Sequence, residues 1–187
     1  MVDFAVIGVV GLQGSGKTEF AKAATKFNIP CIRMGDVVWR EVKNRGMEVT
    51  EKNVGKVANE LRENNGKAAI AKKCIPLIQN AGKEHGAVLI DGIRGKAEVD
   101  EYRSVFGDRF ILVAVDASKE VRRERINSRG RIDDAVSETA FEEKEKRERS
   151  WGLDEAMKDA DITIVNEGTI QQLQDRARGV LETVVSL

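Results

Sequence analysis

Short apolar runs and longer amphipathic stretches alternate along this chain. Phe4 to Val10 is unbroken, β-branched and apolar, the pattern of a strand covered on both faces, and Glu19 to Lys26 repeats its apolar positions at helical intervals. Ile29 to Arg33 predicts a second strand, then a helix from Val37 to about Asn44, with Gly35 in the turn and Asp36 as its cap. The next clear strand is Ala87 to Asp91, after roughly fifty residues where about a dozen would suffice for a crossover helix. Helical stripes fill that interval: Val54, Val57 and Leu61 on one, Ile70, Cys74, Leu77 and Ala81 on another, with a break at Asn65-Gly66 and a kink at Pro76. A small helical lobe is therefore expected between two strands. Lys96 to Phe106 predicts a helix, Phe110 to Val115 a strand ending at Asp116, and helices follow from near Ser118 and from about Ser137 to Ser150. A short helix, a strand at Asp161 to Val165 and a final helix from Thr169 complete the pattern. Five strands alternating with helices predict an α/β fold, a doubly wound five-stranded parallel sheet between two helical layers.

The turn after the first strand carries the chemistry. Gly11-Leu12-Gln13-Gly14-Ser15-Gly16-Lys17-Thr18 is the full P-loop pattern GxxxxGK[ST], set between a strand and a helix as that motif requires. A chain that wraps closely around a polyphosphate needs positive φ angles and unobstructed amides, which Gly11, Gly14 and Gly16 permit. The helix that follows offers unpaired N–H groups and the positive end of its dipole. Lys17 can reach the β- and γ-phosphates of ATP, and the Thr18 hydroxyl can ligate Mg²⁺. The fold class thus narrows to a P-loop NTPase three-layer sandwich.

Composition limits the partners. Lys plus Arg and Asp plus Glu number 31 each, so no net field draws nucleic acid or an anionic membrane, and neither is expected as a partner. Cys31 and Cys74 belong to no CxxC or Cys/His cluster, which makes them buried thiols. No apolar stretch approaches the length of a membrane span, no signal-like segment opens the chain, and a cytoplasmic location is expected.

Two further constellations bear on a phosphate site. Asp91 ends an apolar strand at the sheet edge where ligands of such folds bind; it is either a turn former or a carboxylate that orients the water shell of Mg²⁺. Arg122, Arg125 and Arg129 fall within about 60° of one another on a helix, with Glu120 and Glu124 opposite. Like charges stacked this way repel, and either an anion such as a triphosphate or the acidic residues from Glu138 onward would offset them. Arg131 in the following loop can join the set. The run Glu142 to Arg149 pairs opposite charges at i, i+4 and reads as a solvated helix face. Trp39 and Trp151 are expected to pack in the core or at a hinge.

Three stretches together resemble a known family. Met34-Gly35-Asp36-Val37-Val38-Trp39-Arg40 resembles the D-A-D-x-I-x-R segment of dephospho-CoA kinases and the T-G-D-x-x-R of adenylate kinases. Asp91-Gly92-Ile93-Arg94 resembles the D-G-F-P-R of adenylate kinases, one residue shorter, and Ala160 to Thr169 resembles the A-D-x-V-I-x-N-x-G-S of dephospho-CoA kinases. The chain is thus similar to P-loop kinases of the nucleoside monophosphate kinase and dephospho-CoA kinase type, and most similar to an archaeal family of kinase-like proteins related to the latter. Met34 stands where dephospho-CoA kinases have their first Asp, and Met47 to Asn80 matches no CoA-binding part.

The resemblance implies one P-loop kinase domain over 1–187, with a core of 1–34, 86–129 and 151–187, a helical acceptor-binding insertion at about 35–85 and a lid at about 122–150. It implies transfer of the γ-phosphate of Mg·ATP to a small nucleotide-like or phosphorylated acceptor. Lys17, Arg122, Arg125 and Arg129 would act on the transferring group, Thr18 and Asp91 on the metal. Asp36 would take the proton of an alcohol acceptor, and Arg33, Gly35, Arg40 and Arg94 would bind acceptor phosphate. A nucleotide switch that hydrolyses ATP to regulate a protein partner is the alternative.

Overall fold

The computed structural model describes residues 3–129 and 138–185. In chain order it contains β1 (Ala5–Val10), α1 (Lys17–Lys26), β2 (Cys31–Arg33), α2 (Met34–Asn44), α3 (Glu51–Asn65), α4 (Ala69–Gly82), β3 (Ala87–Asp91), α5 (Lys96–Phe106) and β4 (Phe110–Asp116). It continues with α6 (Lys119–Arg129), α7 (Glu138–Ser150), α8 (Leu153–Lys158), β5 (Ile162–Val165) and α9 (Ile170–Val185). The five strands form one parallel sheet in the order β2-β3-β1-β4-β5. β1 lies at its centre, which is why all six of its residues are buried.

Helices cover both faces. One core layer joins the sheet to α2, α3, α4, α5 and α8 through residues such as Val38, Leu61, Ile78, Tyr102 and Leu153. The other joins it to α1 and α9 through Phe20, Ala24, Leu173 and Leu181. Parallel strands buried on both sides need such continuous apolar runs, and β1, β3 and β4 supply them. The result is the α/β P-loop sandwich expected from the alternation of patterns.

Register then concentrates the polar residues at one edge. Asp91 is the partner of Val9 on β1 and of Arg33 on β2, so the C-terminal ends of three adjacent strands lie abreast where the P-loop begins.

Some local expectations change. α2 starts at Met34 directly after β2, with Arg33 as its N-cap, so Gly35 and Asp36 sit within the first helical turn rather than in a turn and a cap. Asp36 there faces the positive end of the helix dipole. α4 runs from Ala69 to Gly82 with Pro76 inside it, held against the core by Ile70, Cys74 and Ile78. The stripe Phe141, Glu145 and Glu148 of α7 is buried, so the charged run on this helix is not simply a solvated face. Apolar periodicity does not reveal such a stripe, because two of its three members are carboxylates answered by distant arginines.

Candidate functional site

The P-loop is clamped from two sides. Gly14 has φ +77°, and a Cβ on it would stand 2.7 Å from the carbonyl oxygen of Arg122 on α6. Gly16, with φ +113°, is the N-cap of α1, and a Cβ there would stand 2.5 Å from Asn166 Nδ2, beyond β5. Asn166 uses that nitrogen to donate to the Ser15 carbonyl at 2.7 Å, and Gln13 Nε2 donates to the Phe141 carbonyl of α7 at 2.9 Å. The loop is therefore positioned by α6, α7 and the segment after β5.

Inside the loop, Ser15 Oγ is buried with no hydrogen-bond partner among the described residues. The first N–H groups of a helix lack intrahelical acceptors, and in α1 the Gly16 carbonyl takes those of Glu19 and Phe20. Lys17 Nζ donates to the Gly11 and Leu12 carbonyls, the second at 3.0 Å, folding the ammonium back onto the loop. Burial lowers its pKa to about 8; Arg94 adds to the fall, while Glu148 and Asp91 oppose it. Thr18 is exposed at the helix start. A glycine cradle, an orphaned hydroxyl and an ammonium held only by carbonyls together fit a polyphosphate.

Asp91 and Arg94 border this cradle from β3. Glu98, buried on α5, accepts from the Arg94 backbone N–H at 2.7 Å through Oε2 and faces Arg62 Nη2 at 3.4 Å through Oε1. Burial raises its pKa. The Arg94 guanidinium reaches Glu148 Oε1 on α7 at 2.5 Å, and the other oxygen, Glu148 Oε2, is buried with no partner among the described residues.

The arginine stripe of α6 divides. Arg122 is 2% exposed and paired to Glu145 of α7 at 3.0 Å, with further bonds to the Ala117 and Gln13 carbonyls. Burial alone would push Glu145 up, but hydrogen bonds from Arg122 and Arg149 hold it below the usual carboxylate value. Arg125 donates to the carbonyls of Asn166 and Gly168, each at 3.0 Å. The partners that offset Arg122 and Arg125 in this structure are thus the Glu145 carboxylate, four backbone carbonyls and the Asn166 side-chain oxygen. The Arg129 side chain and Arg131 lie outside the described residues.

Arg33, Asp36 and Arg40 are exposed. None of them lines the cavity of about 330 Å³ between α3, the β3–α5 loop and the α7–α8 junction. Arg94 lines it together with Arg62, Lys67, Glu98, Ser150 and Trp151. Trp151 lies outside the core, at the α7–α8 junction: the Arg62 guanidinium is 5.3 Å from its ring centroid at the cavity wall. Arg62, Lys67 and Glu98 escape sequence reasoning because they sit in no motif, whereas Glu145 is one of the acidic residues beyond Glu138 expected as an alternative counter-charge to the arginine stripe.

A family model described as an AAA domain matches residues 10–142. A UPF0200 protein of Methanosarcina mazei is 41% identical over 176 residues, covering 94% of this chain and 93% of that one. The chain belongs to the UPF0200 family. Another relative, a UPF0200/UPF0201 protein of Archaeoglobus fulgidus, is 46% identical over 181 residues, and this UPF0200 chain spans 56% of its length. Among solved structures, dephospho-CoA kinase from Campylobacter jejuni superposes with a TM-score of 0.65 at 16% identity, over 97% of each chain. Shikimate kinase from Aquifex aeolicus superposes with 0.52 at 19% identity, over 95% of this chain and 96% of that one. The UPF0200 chain therefore has a nucleotide-binding P-loop fold of the kinase type. No described helix is long and apolar enough to cross a membrane.

Proposed function

We propose that the protein is a cytoplasmic Mg·ATP-dependent phosphotransferase acting on a small nucleotide-like or phosphorylated acceptor. The observation that carries this reading is the orphaned Ser15 hydroxyl inside a glycine cradle, with Lys17, Asp91 and Arg94 around it. The kinases among its structural neighbours support phosphoryl transfer as the use of that cradle.

Backbone amides of 11–18 would hold the β- and γ-phosphates, and Lys17 would exchange its two carbonyl partners for phosphate oxygens. Thr18 and Asp91 would hold magnesium, which when bound neutralises charge on those oxygens. Arg122, Arg125 and Arg129 would stabilise the transferring group, Arg122 by exchanging Glu145 for phosphate and Arg125 by leaving its carbonyls. Asp36 would accept the proton of a hydroxyl acceptor. Arg94, with Arg33, Gly35 and Arg40 at the same sheet edge, would orient it. The direct test is ATP-dependent phosphorylation across a panel of acceptors with Mg²⁺. Unchanged turnover in Lys17→Ala, or no affinity for any nucleotide by calorimetry, contradicts the scheme.

A further inference from the structure

The cavity beside Arg94 has the features of a built anion site. Two guanidiniums line it, from elements far apart in the chain, Arg62 on α3 and Arg94 after β3, together with Lys67 and the carboxylates Glu63 and Glu98. Each is steadied by a carboxylate that is itself almost wholly buried, Arg62 by Glu98 at 3.4 Å and Arg94 by Glu148 at 2.5 Å. In each pair only one terminal nitrogen is engaged, and no other acceptor among the described residues takes the remaining side-chain N–H groups. Arg62 is further held against the Trp151 ring. Lys67, exposed at the rim, has no ion pair among the described residues.

A guanidinium fixed in orientation with spare, parallel N–H groups is the arrangement that grips a planar or tetrahedral oxyanion, because little side-chain freedom is lost on binding. Glu98 and Glu63 in the lining and Glu148 beside Arg94 cancel much of the cationic charge, so selectivity rests on directed hydrogen bonds more than on net field. Size narrows the occupant further. About 330 Å³ is at the small end of ligand cavities, which run from about 300 to 1,000 Å³.

We propose that this cavity is the acceptor site, that Arg62 and Arg94 together grip the acceptor's phosphate or carboxylate group, and that the acceptor is a compact metabolite rather than an extended one of coenzyme A size. The proposal rests on the kinase reading for the word acceptor, but the anion site stands on the cavity alone. Arg62 is then a specificity-determining residue supplied by the helical insertion. Arg94 borders this cavity and also lies close enough to Lys17 to lower its pKa, so an anion gripped here would sit near the cradle.

The test is calorimetric titration of the full chain with inorganic phosphate and, separately, acetate, with the P-loop first saturated by Mg·AMP-PNP. Arg62→Ala and Arg94→Ala are each expected to weaken binding at least about tenfold. Arg62→Lys, which keeps Glu98 paired, is expected to fall between wild type and Arg62→Ala, and the surface variant Lys72→Ala to bind as wild type. Whichever of phosphate and acetate binds in an Arg62-dependent way identifies the anion class. Binding of either probe that is indifferent to both Arg62 variants, or carried instead by Arg33 and Arg40, overturns the proposal. So does displacement of the probe by dephospho-CoA as effectively as by a small phosphomonoester. The same titration of Lys17→Ala without nucleotide separates the two ideas: Arg62-dependent anion binding in a chain whose wild type shows no nucleotide affinity would end the kinase reading and keep the site.

Discussion

Arg122 and Glu145 form an ion pair at 3.0 Å in which both side chains are nearly excluded from water, and that pair joins the P-loop to α7. Arg122 Nη1 also reaches the Gln13 carbonyl, and Gln13 in turn donates to Phe141 one turn before Glu145. A carboxylate on one helix thus braces the phosphate cradle through an arginine on another.

Removing one partner of such a buried pair leaves an uncompensated charge, so Glu145→Ala is expected to cost about 3–5 kcal/mol of unfolding free energy. Glu142→Ala, which breaks the exposed pair with Lys119, is expected to change stability by less than about 1 kcal/mol. Urea denaturation of the two variants compares them directly, and equal losses would mean that α7 does not brace the loop.

Lys17 makes nucleotide binding sensitive to alkali. Its pKa in the free protein is about 8, so the ammonium is lost as pH rises through 8, and bound phosphates would restore it. Nucleotide affinity is expected to fall above about pH 8, with proton uptake on binding above that pH visible as a buffer-dependent calorimetric enthalpy. Stability has the opposite sign. The unfolded chain holds more protons at this residue between about 8 and 10.5, so its contribution to unfolding free energy rises with pH across that window.

Two glycines should respond in opposite ways. Gly14→Ala forces a side chain into a positive-φ position against the Arg122 carbonyl, and is expected to abolish nucleotide binding and lower Tm. Gly35 is helical with nothing within 4 Å of its would-be Cβ, so Gly35→Ala is expected to stabilise the fold by about 0.5–1 kcal/mol. If Gly35 borders the acceptor, the same variant raises the acceptor KM; an unchanged KM removes it from the site.

Asp91→Asn keeps the side-chain volume and removes the charge proposed to hold the cation. The Mg²⁺ concentration for half-maximal turnover is expected to rise at least about tenfold, with KM for the acceptor little changed. An unaltered Mg²⁺ dependence would return Asp91 to the role of a strand-ending turn residue.

The sequence by itself determined the sheet and the cradle, because both are written in local terms. β1 is a continuous apolar run, Gly14 and Gly16 are required by backbone angles within a few residues, and Lys17 and Asp91 follow strands whose ends are fixed by their own hydrophobic patterns. Helix starts were less legible, since β2 passes into α2 without the turn that Gly35 suggested. What only the tertiary structure decided is which charge meets which. Arg122 with Glu145, Arg94 with Glu148 and Arg62 with Glu98 pair residues 23, 54 and 36 positions apart. Ion pairs between distant elements leave no periodic trace along a chain in which acids and bases are equally numerous, so their partners are chosen by how α3, α5 and α7 pack around the sheet.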